Sequence, residues 1–239
     1  MFSFVCSLFA ANAYSVGKES CVFGSCVINT SYTRIGIVGG YASLHSDSTQ
    51  NLALLSFADR SVARHNQKEL MQSILMLQAG GISRNAVRLG EFDKRKDKAF
   101  ALNGRVGLGI NLLPNLAYPL YLNALYSFDF LNDTYKIHSG GVELQGFLRG
   151  SARVRYEYAL GYDYVFAGAY ILPQISQVQF DSGYVVRGSV GLSYALNQHI
   201  HTYINLYGIY RSLEKVATTS FAFKETQQYI AGVELGLGF

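Results

Sequence analysis

Residues 153–166, RVRYEYALGYDYVF, decide the fold. In an extended chain Val154, Tyr156, Tyr158, Leu160, Tyr162, Tyr164 and Phe166 share one face, and Arg153, Arg155, Glu157, Ala159, Gly161, Asp163 and Val165 share the other, because successive side chains of a strand point to opposite sides. A water-soluble sandwich has the reverse emphasis. Its solvent face carries Lys, Glu and Thr at alternate positions, and its buried face holds few tyrosines, whose hydroxyls need partners. Aromatic rings toward strand ends suit a lipid boundary, where an apolar ring and a wet hydroxyl are both satisfied.

The same two-faced pattern spreads outward from this stretch. In 99–112, Phe100, Leu102, Val106, Leu108, Ile110 and Leu112 oppose Ala99, Ala101, Asn103, Arg105, Gly107, Gly109 and Asn111; in 118–130, Tyr118, Leu120, Leu122, Ala124, Tyr126, Phe128 and Phe130 oppose Asn123, Ser127 and Asp129. It returns in 141–148, 184–196, 200–210 and 229–239. Four of these segments, RVGLGINL at 105–112, GVELQGFL at 141–148, SVGLSYAL at 189–196 and GVELGLGF at 232–239, share one spacing, as repeated hairpins produce. Short turns at Leu113-Pro114-Asn115, Gly150-Ser151 and Asn197-Gln198 take turns with longer stretches at 131–136, 167–183 and 211–226. That asymmetry belongs to a transmembrane barrel with short periplasmic turns and longer external loops. Counting back from the last strand makes 99–112 run inward, leaves seven strands after residue 98 and puts the charged tip 93–98 outside.

The fold class is therefore all-β: a single antiparallel up-and-down transmembrane β-barrel over 33–239. Its first half is harder to read. Residues 34–44 form an outward strand and 85–92 another, so parity demands one inward strand between them. Either 52–58 or 70–79 supplies it, and the other is loop or helix, since Leu70, Met71, Ile74, Leu75 and Leu77 also fit a helical stripe. Ten strands is the count; in the eight-strand alternative 45–98 becomes an external excursion or plug, longer than loops usually run.

Composition closes off other classes. Of 239 residues 49% are hydrophobic and 15% charged, with a net charge of +4, too mild and scattered for a nucleic-acid binder. Mean hydropathy is +0.13, yet no window of about 18 uninterrupted apolar residues offers a spanning helix. Residues 2–11 are largely apolar and Ala11-Asn12-Ala13 has the small-x-small form that signal peptidase cuts, so 1–13 reads as a signal peptide. Cys6 leaves with it. Residues 14–32 are then an N-terminal periplasmic segment in which Cys21 and Cys26 are a candidate disulfide around a short loop. With no His, Asp or Glu at ligand spacing, they suggest no metal.

Tyr229, Ala231, Val233, Leu235, Leu237 and Phe239 alternate back from the last residue. This resembles the terminal assembly signal of Gram-negative outer-membrane β-barrel proteins, the small porin-like kind. The resemblance implies outer-membrane localisation, a surround of lipid and lipopolysaccharide, and assembly by the barrel-assembly machinery through Tyr229, Val233, Leu235, Leu237 and Phe239. The chain departs from it in having no Trp, which leaves Tyr and Phe to build the interfacial girdles.

If the tyrosine faces meet lipid, Asn103, Arg105, Asn111, Asn123, Asp129, Glu143, Gln145, Arg153, Arg155, Glu157, Asp163, Arg187, Asn205 and Glu234 point inward. A barrel of this size has an interior wide enough for side chains or a narrow channel. Arg105, Arg153, Arg155 and Arg187 are expected to pair there with Glu143, Glu157, Asp163 and Glu234, with Gly107, Gly109, Gly161, Gly191 and Gly236 giving them room. The function expected is structural or surface-interacting, with a lumen closed by ion pairs; the alternative is a narrow, charge-lined diffusion channel. Stretches such as 167–170 could meet a host or phage surface, with no ligand named. Catalysis is not expected: His138-Ser139, His199 and His201 suggest no Ser-His-acid set, and Gly107-Leu108-Gly109 lies inside a strand rather than in a phosphate loop. No cofactor is implied.

Overall fold

The computed structural model describes residues 18–22, 25–44, 48–66, 68–84, 98–116, 118–132, 135–172, 175–214 and 226–239. The signal-like 1–13, the expected strand 85–92 and all of the charged tip except Lys98 lie outside the described residues. Twelve strands are described: β1 (Lys18–Val22), β2 (Ser25–Leu44), β3 (Ser48–His65), β4 (Lys68–Arg84), β5 (Lys98–Asn111), β6 (Leu120–Leu131), β7 (Tyr135–Arg149), β8 (Val154–Leu172), β9 (Ile175–Phe180), β10 (Gly183–Ala195), β11 (His201–Leu213) and β12 (Thr226–Gly238). Ten of them close a barrel. Each barrel strand pairs antiparallel with its neighbours; β12 returns onto β2, from Gln228 opposite Leu44 to Gly238 opposite Arg34, and β2 pairs with β3. β9 folds back on the end of β8, and β1 on the start of β2.

The ten-strand count holds, but by a different route. Both competing segments are strands, β3 and β4, and β4 is the outward one. β4 looked helical because neither face is polar throughout: Met71, Leu75 and Leu77 point out while Ile74 and Met76 alternate with Gln72 and Gln78 inside. Asn66, at φ 49°, opens the β3–β4 turn in the left-handed region that asparagine tolerates. The other turns at this end are tied by side chains. Asn111 Oδ1 accepts from Leu113 N (3.0 Å) and Leu120 N (3.2 Å), Ser151 Oγ from Val154 N (3.1 Å), and Asn197 Oδ1 from His199 N (2.8 Å) and Ile200 N (2.7 Å).

Phe239 exchanges backbone hydrogen bonds with Thr33, so the earlier part of β2 runs on past the end of β12. With β1 and the ends of β3 and β4 it makes a tongue beyond the turn-end rim. The segment 14–32 therefore shares a strand with the barrel from Ser25 onward. Cys21 stands opposite Cys26 in the β1–β2 register.

The outside is apolar. Ile37, Leu55, Leu108, Leu160 and Leu206 lie bare along mid-strand, and Tyr162, Tyr184, Tyr210 and Tyr229 form a ladder across β8, β10, β11 and β12 with successive ring centroids 6.2, 5.8 and 4.9 Å apart. Not every tyrosine faces out. Tyr121, Tyr135 and Tyr203 are buried inside, each hydroxyl with a partner.

The inward glycines lie against asparagine, glutamate, leucine and tyrosine side chains and against backbone, not against the arginines. A Cβ at Gly109 would meet Asn123 Oδ1 at 1.9 Å, at Gly191 Asn205 Oδ1 at 3.1 Å, at Gly161 Glu143 Cβ at 3.4 Å, and at Gly107 Ala124 O and Leu125 Cδ2 at 2.4 Å. At Gly236 it would meet Ile35 O at 2.2 Å, Gly36 Cα at 2.7 Å and Tyr203 hydroxyl at 2.8 Å. Two of these are backbone and cannot step aside. Gly236→Ala is accordingly expected to destabilise the folded barrel by about 1–3 kcal/mol, whereas Gly39→Ala, whose Cβ meets nothing within 4 Å, should unfold at the wild-type denaturant midpoint. Equal midpoints for the two variants would refute the close approach of β12 and β2.

Candidate functional site

The candidate site is the lumen, and it is layered. Its loop half is packed mainly with apolar side chains, with buried Gln50 and Gln228 among them: Val38 from β2, Leu54 from β3, Ile82 from β4, Ala99 and Ala101 from β5, Leu131 from β6, Ile137 from β7, Val165 from β8, Val185 from β10 and Leu213 from β11. Val38, Ile137, Val165 and Val185 are 0% exposed. All stand on the same inward parity as the charged residues beneath them.

Under this plug lies a charge cluster. Arg211 donates from Nη2 to Asp129 Oδ2 (2.7 Å) and from Nη1 to Tyr135 hydroxyl (2.7 Å) and Gln228 Oε1 (2.8 Å). Arg187 pairs with Asp163 and lies 3.5 Å from Asp129 Oδ2. Two guanidiniums against two carboxylates make the layer neutral, the condition under which buried charge is tolerated. One layer lower, Arg105 Nη2 donates to Glu143 Oε2 (2.7 Å), and Gln72 Nε2 donates to Asn123 Oδ1 (2.6 Å) and Gln145 Oε1 (2.9 Å).

The turn half is roomier, with a cavity of about 510 Å³ that reaches the β7–β8 turn. Arg34 holds Glu157 with both nitrogens, Nη1 to Oε2 at 2.8 Å, and Tyr203 hydroxyl donates to Glu234 Oε1 at 2.8 Å. Toward the tongue, Glu69 accepts from Arg64 Nη2 (2.7 Å) and Tyr121 hydroxyl (2.5 Å). Arg60 and Arg155 each place Cζ 4.1 Å from the Phe147 ring centroid.

The residues expected from the sequence fall unevenly into this scheme. Arg105 meets Glu143 and Arg187 meets Asp163. Glu157 is held by Arg34 instead of a neighbouring arginine, Glu234 by a tyrosine, and Arg155 lies on Phe147. Arg153 does not join them: it is exposed in the β7–β8 turn, one residue before β8 starts, with Nη1 3.4 Å from Tyr194 hydroxyl. Alternation puts Asp129 inward but names no partner for it, and Arg211 supplies one. Arg34, Arg60, Glu69 and Arg211 were missed, although the parity of their strands would have found the first and last. Tyr229, Val233, Leu235, Leu237 and Phe239 all lie on the exposed outer face.

Two candidates for chemistry come apart. His138 faces outward, its Nδ1 2.6 Å from Tyr126 hydroxyl, while the adjacent Ser139 is buried inside. Among the described residues no group of three His, Cys, Asp or Glu is arranged to hold a metal.

No protein-family model and no curated protein sequence matches the chain. Solved structures do. The outer-membrane protease OmpT of Escherichia coli aligns over 92% of this chain and 98% of its own with a TM-score of 0.57 at 11% identity. Neisserial surface protein A aligns over 88% and 97% with 0.42 at 8%, and the outer-membrane protein OprG of Pseudomonas aeruginosa over 87% and 94% with 0.35 at 11%. At such identity the first likeness speaks for the fold alone. Joined to the closed ten-strand register and the apolar outer belt, it gives this chain the fold of the Gram-negative outer-membrane β-barrel proteins.

Proposed function

We propose that the chain is an integral outer-membrane barrel with a structural or surface-interaction role, closed to ions along its axis. The plug carries this reading: an ion crossing the loop half would have to displace apolar side chains contributed by nearly every barrel strand and shed its water to do so. The neutral Asp129, Asp163, Arg187 and Arg211 layer beneath adds a second closure.

Purified protein in planar bilayers is expected to give no steady conductance. The competing reading, a narrow diffusion channel, draws on the cavity of the turn half; it requires stable ion-selective steps that Arg155→Glu or Glu157→Lys abolish. Such steps would overturn the closed-lumen reading.

On the same reading the chain is not an enzyme. The protease named among the structural neighbours owes its reaction to its own residues, and here the separation of His138 from Ser139 supports a non-catalytic role. Lipid and lipopolysaccharide would surround the belt. The outward row from Tyr229 to Phe239 would be the part met by the barrel-assembly machinery. The β8–β9 hairpin, steadied by the Tyr170 and Phe180 rings with centroids 4.7 Å apart, is the part best placed to meet a host or phage surface.

A further inference from the structure

We propose that the cavity in the turn half of the lumen is a binding site for a small solute bearing a carboxylate or a phosphate. The side of the membrane from which it enters, the periplasm, rests on the orientation that the loop lengths in the sequence lead one to expect and on the outer-membrane reading proposed above; the binding chemistry does not.

In the upper layers every guanidinium has its carboxylate, but seven arginines line the cavity with five acidic residues, one of which, Asp59, stands on the other face of β3 from Arg60. Those five are already engaged: Glu143 by Arg105, Glu157 by Arg34, Glu69 by Arg64 and Tyr121, Glu234 by Tyr203, and Asp59 by Thr33. Three arginines are held by those acids; of the other four, Arg149 and Arg153 lie exposed at the rim, and Arg60 and Arg155 lie inside. Among the described residues no carboxylate lies within ion-pair distance of Arg155, whose guanidinium lies over the Phe147 ring. Arg60 comes no closer to a carboxylate than 3.7 Å, at Glu69, an acid two other donors already use.

Both guanidiniums touch the same ring, so they stand no farther apart than twice 4.1 Å. Like charges at that distance in a partly dry cavity repel, and an anion within reach of both relieves the repulsion. Donors are waiting there as well. Arg60 Nη2 and Arg105 Nε are buried with no hydrogen-bond partner among the described residues, and an unmet buried donor favours any ligand that brings an oxygen. A guanidinium fork matches two oxygens of a carboxylate or phosphate at once. A volume of about 510 Å³ admits a solute well beyond a single ion. The exposed Arg149 and Arg153 flank the way in and extend the positive field to the rim.

The test uses the full chain folded in detergent micelles, titrated calorimetrically with inorganic phosphate and with citrate at matched ionic strength against sodium chloride. Saturable binding of at least one probe is expected, weakened at least tenfold by Arg155→Gln and by Arg60→Gln, with Arg155→Lys intermediate. Lys136→Gln, on the exposed outer face of β7, should bind as wild type. Phosphate alone binding would assign the site to phosphates, and citrate alone to carboxylates. No saturable heat beyond that of chloride, or wild-type affinity in both glutamine variants, overturns the proposal. Should Arg60→Gln fail to give the compact form on unheated gels, Arg155→Gln decides, because that side chain ties no strand to another by a hydrogen bond. Conductance in bilayers would sink the closed-lumen reading and leave this result untouched.

Discussion

Asp129→Asn is expected to cost the folded barrel about 3–5 kcal/mol, the usual consequence of removing one partner from a buried ion pair. The substitution keeps the shape of the side chain and removes its charge. Asp129 Oδ2 lies 2.7 Å from Arg211 Nη2 and 3.5 Å from Arg187 Nη2. Arg187 would still have Asp163, but Arg211, 2% exposed, would keep only the neutral acceptors on Tyr135 and Gln228. A guanidinium so placed has neither water nor a counter-charge. Unfolding by urea in lipid vesicles, followed by the shift between compact and extended forms on gels, measures the loss. The paired variant Asp129→Leu with Arg211→Met sharpens the test. Exchanging both charges for apolar groups of similar bulk should return stability to within about 1–2 kcal/mol of wild type, since the plug directly above is already apolar. If Asp129→Asn alone loses less than about 1 kcal/mol, water reaches this layer and the lumen is not sealed at its middle.

How much of this was legible in the sequence depends on the physical scale of each feature. Strand parity is local, so it survived: Tyr156, Tyr158, Tyr162 and Tyr164 face out and Glu157 and Asp163 face in, as alternation requires. Where a strand begins is less local. Arg153 has inward parity, yet β8 starts at Val154 and the arginine remains in the turn. β3 and β4 were ambiguous because apolar residues on both of their faces erase the contrast that alternation depends on. Partners across the lumen lie beyond sequence altogether. Arg34 and Glu157 are 123 residues apart on β2 and β8, and which inward side chains meet depends on the tilt and shear of a closed sheet. The plug is a different lesson. Val165 shares the face of Glu157 and Asp163, and inward parity likewise holds for Val38, Leu54, Ile137 and Val185, but single apolar residues on a polar face carry no signal of their own. Stratification appears only when every strand is aligned to one rim.

Leu160→Arg is expected to destabilise the barrel by about 2–4 kcal/mol, the cost of an arginine facing the middle of a bilayer. Leu160 sits mid-strand in β8, between Leu144 of β7 and Gly188 of β10, and is 62% exposed in the isolated chain. That exposure is why the result discriminates. On a water-soluble protein an arginine at such a site changes stability by no more than about 0.5 kcal/mol and tends to improve solubility. The two environments therefore predict different outcomes for one substitution, readable as the shift in urea midpoint for protein folded into phospholipid vesicles. Tyr156→Arg, nearer the turn-end rim on the same outer face, supplies the depth series: its loss should be smaller, because an arginine near the interface reaches the headgroups. A flat series, with both variants unfolding at the wild-type midpoint, would mean that no hydrocarbon surrounds the belt formed by Leu55, Leu108, Leu160 and Leu206, and every inward assignment that rests on its being lipid-facing would lose its footing.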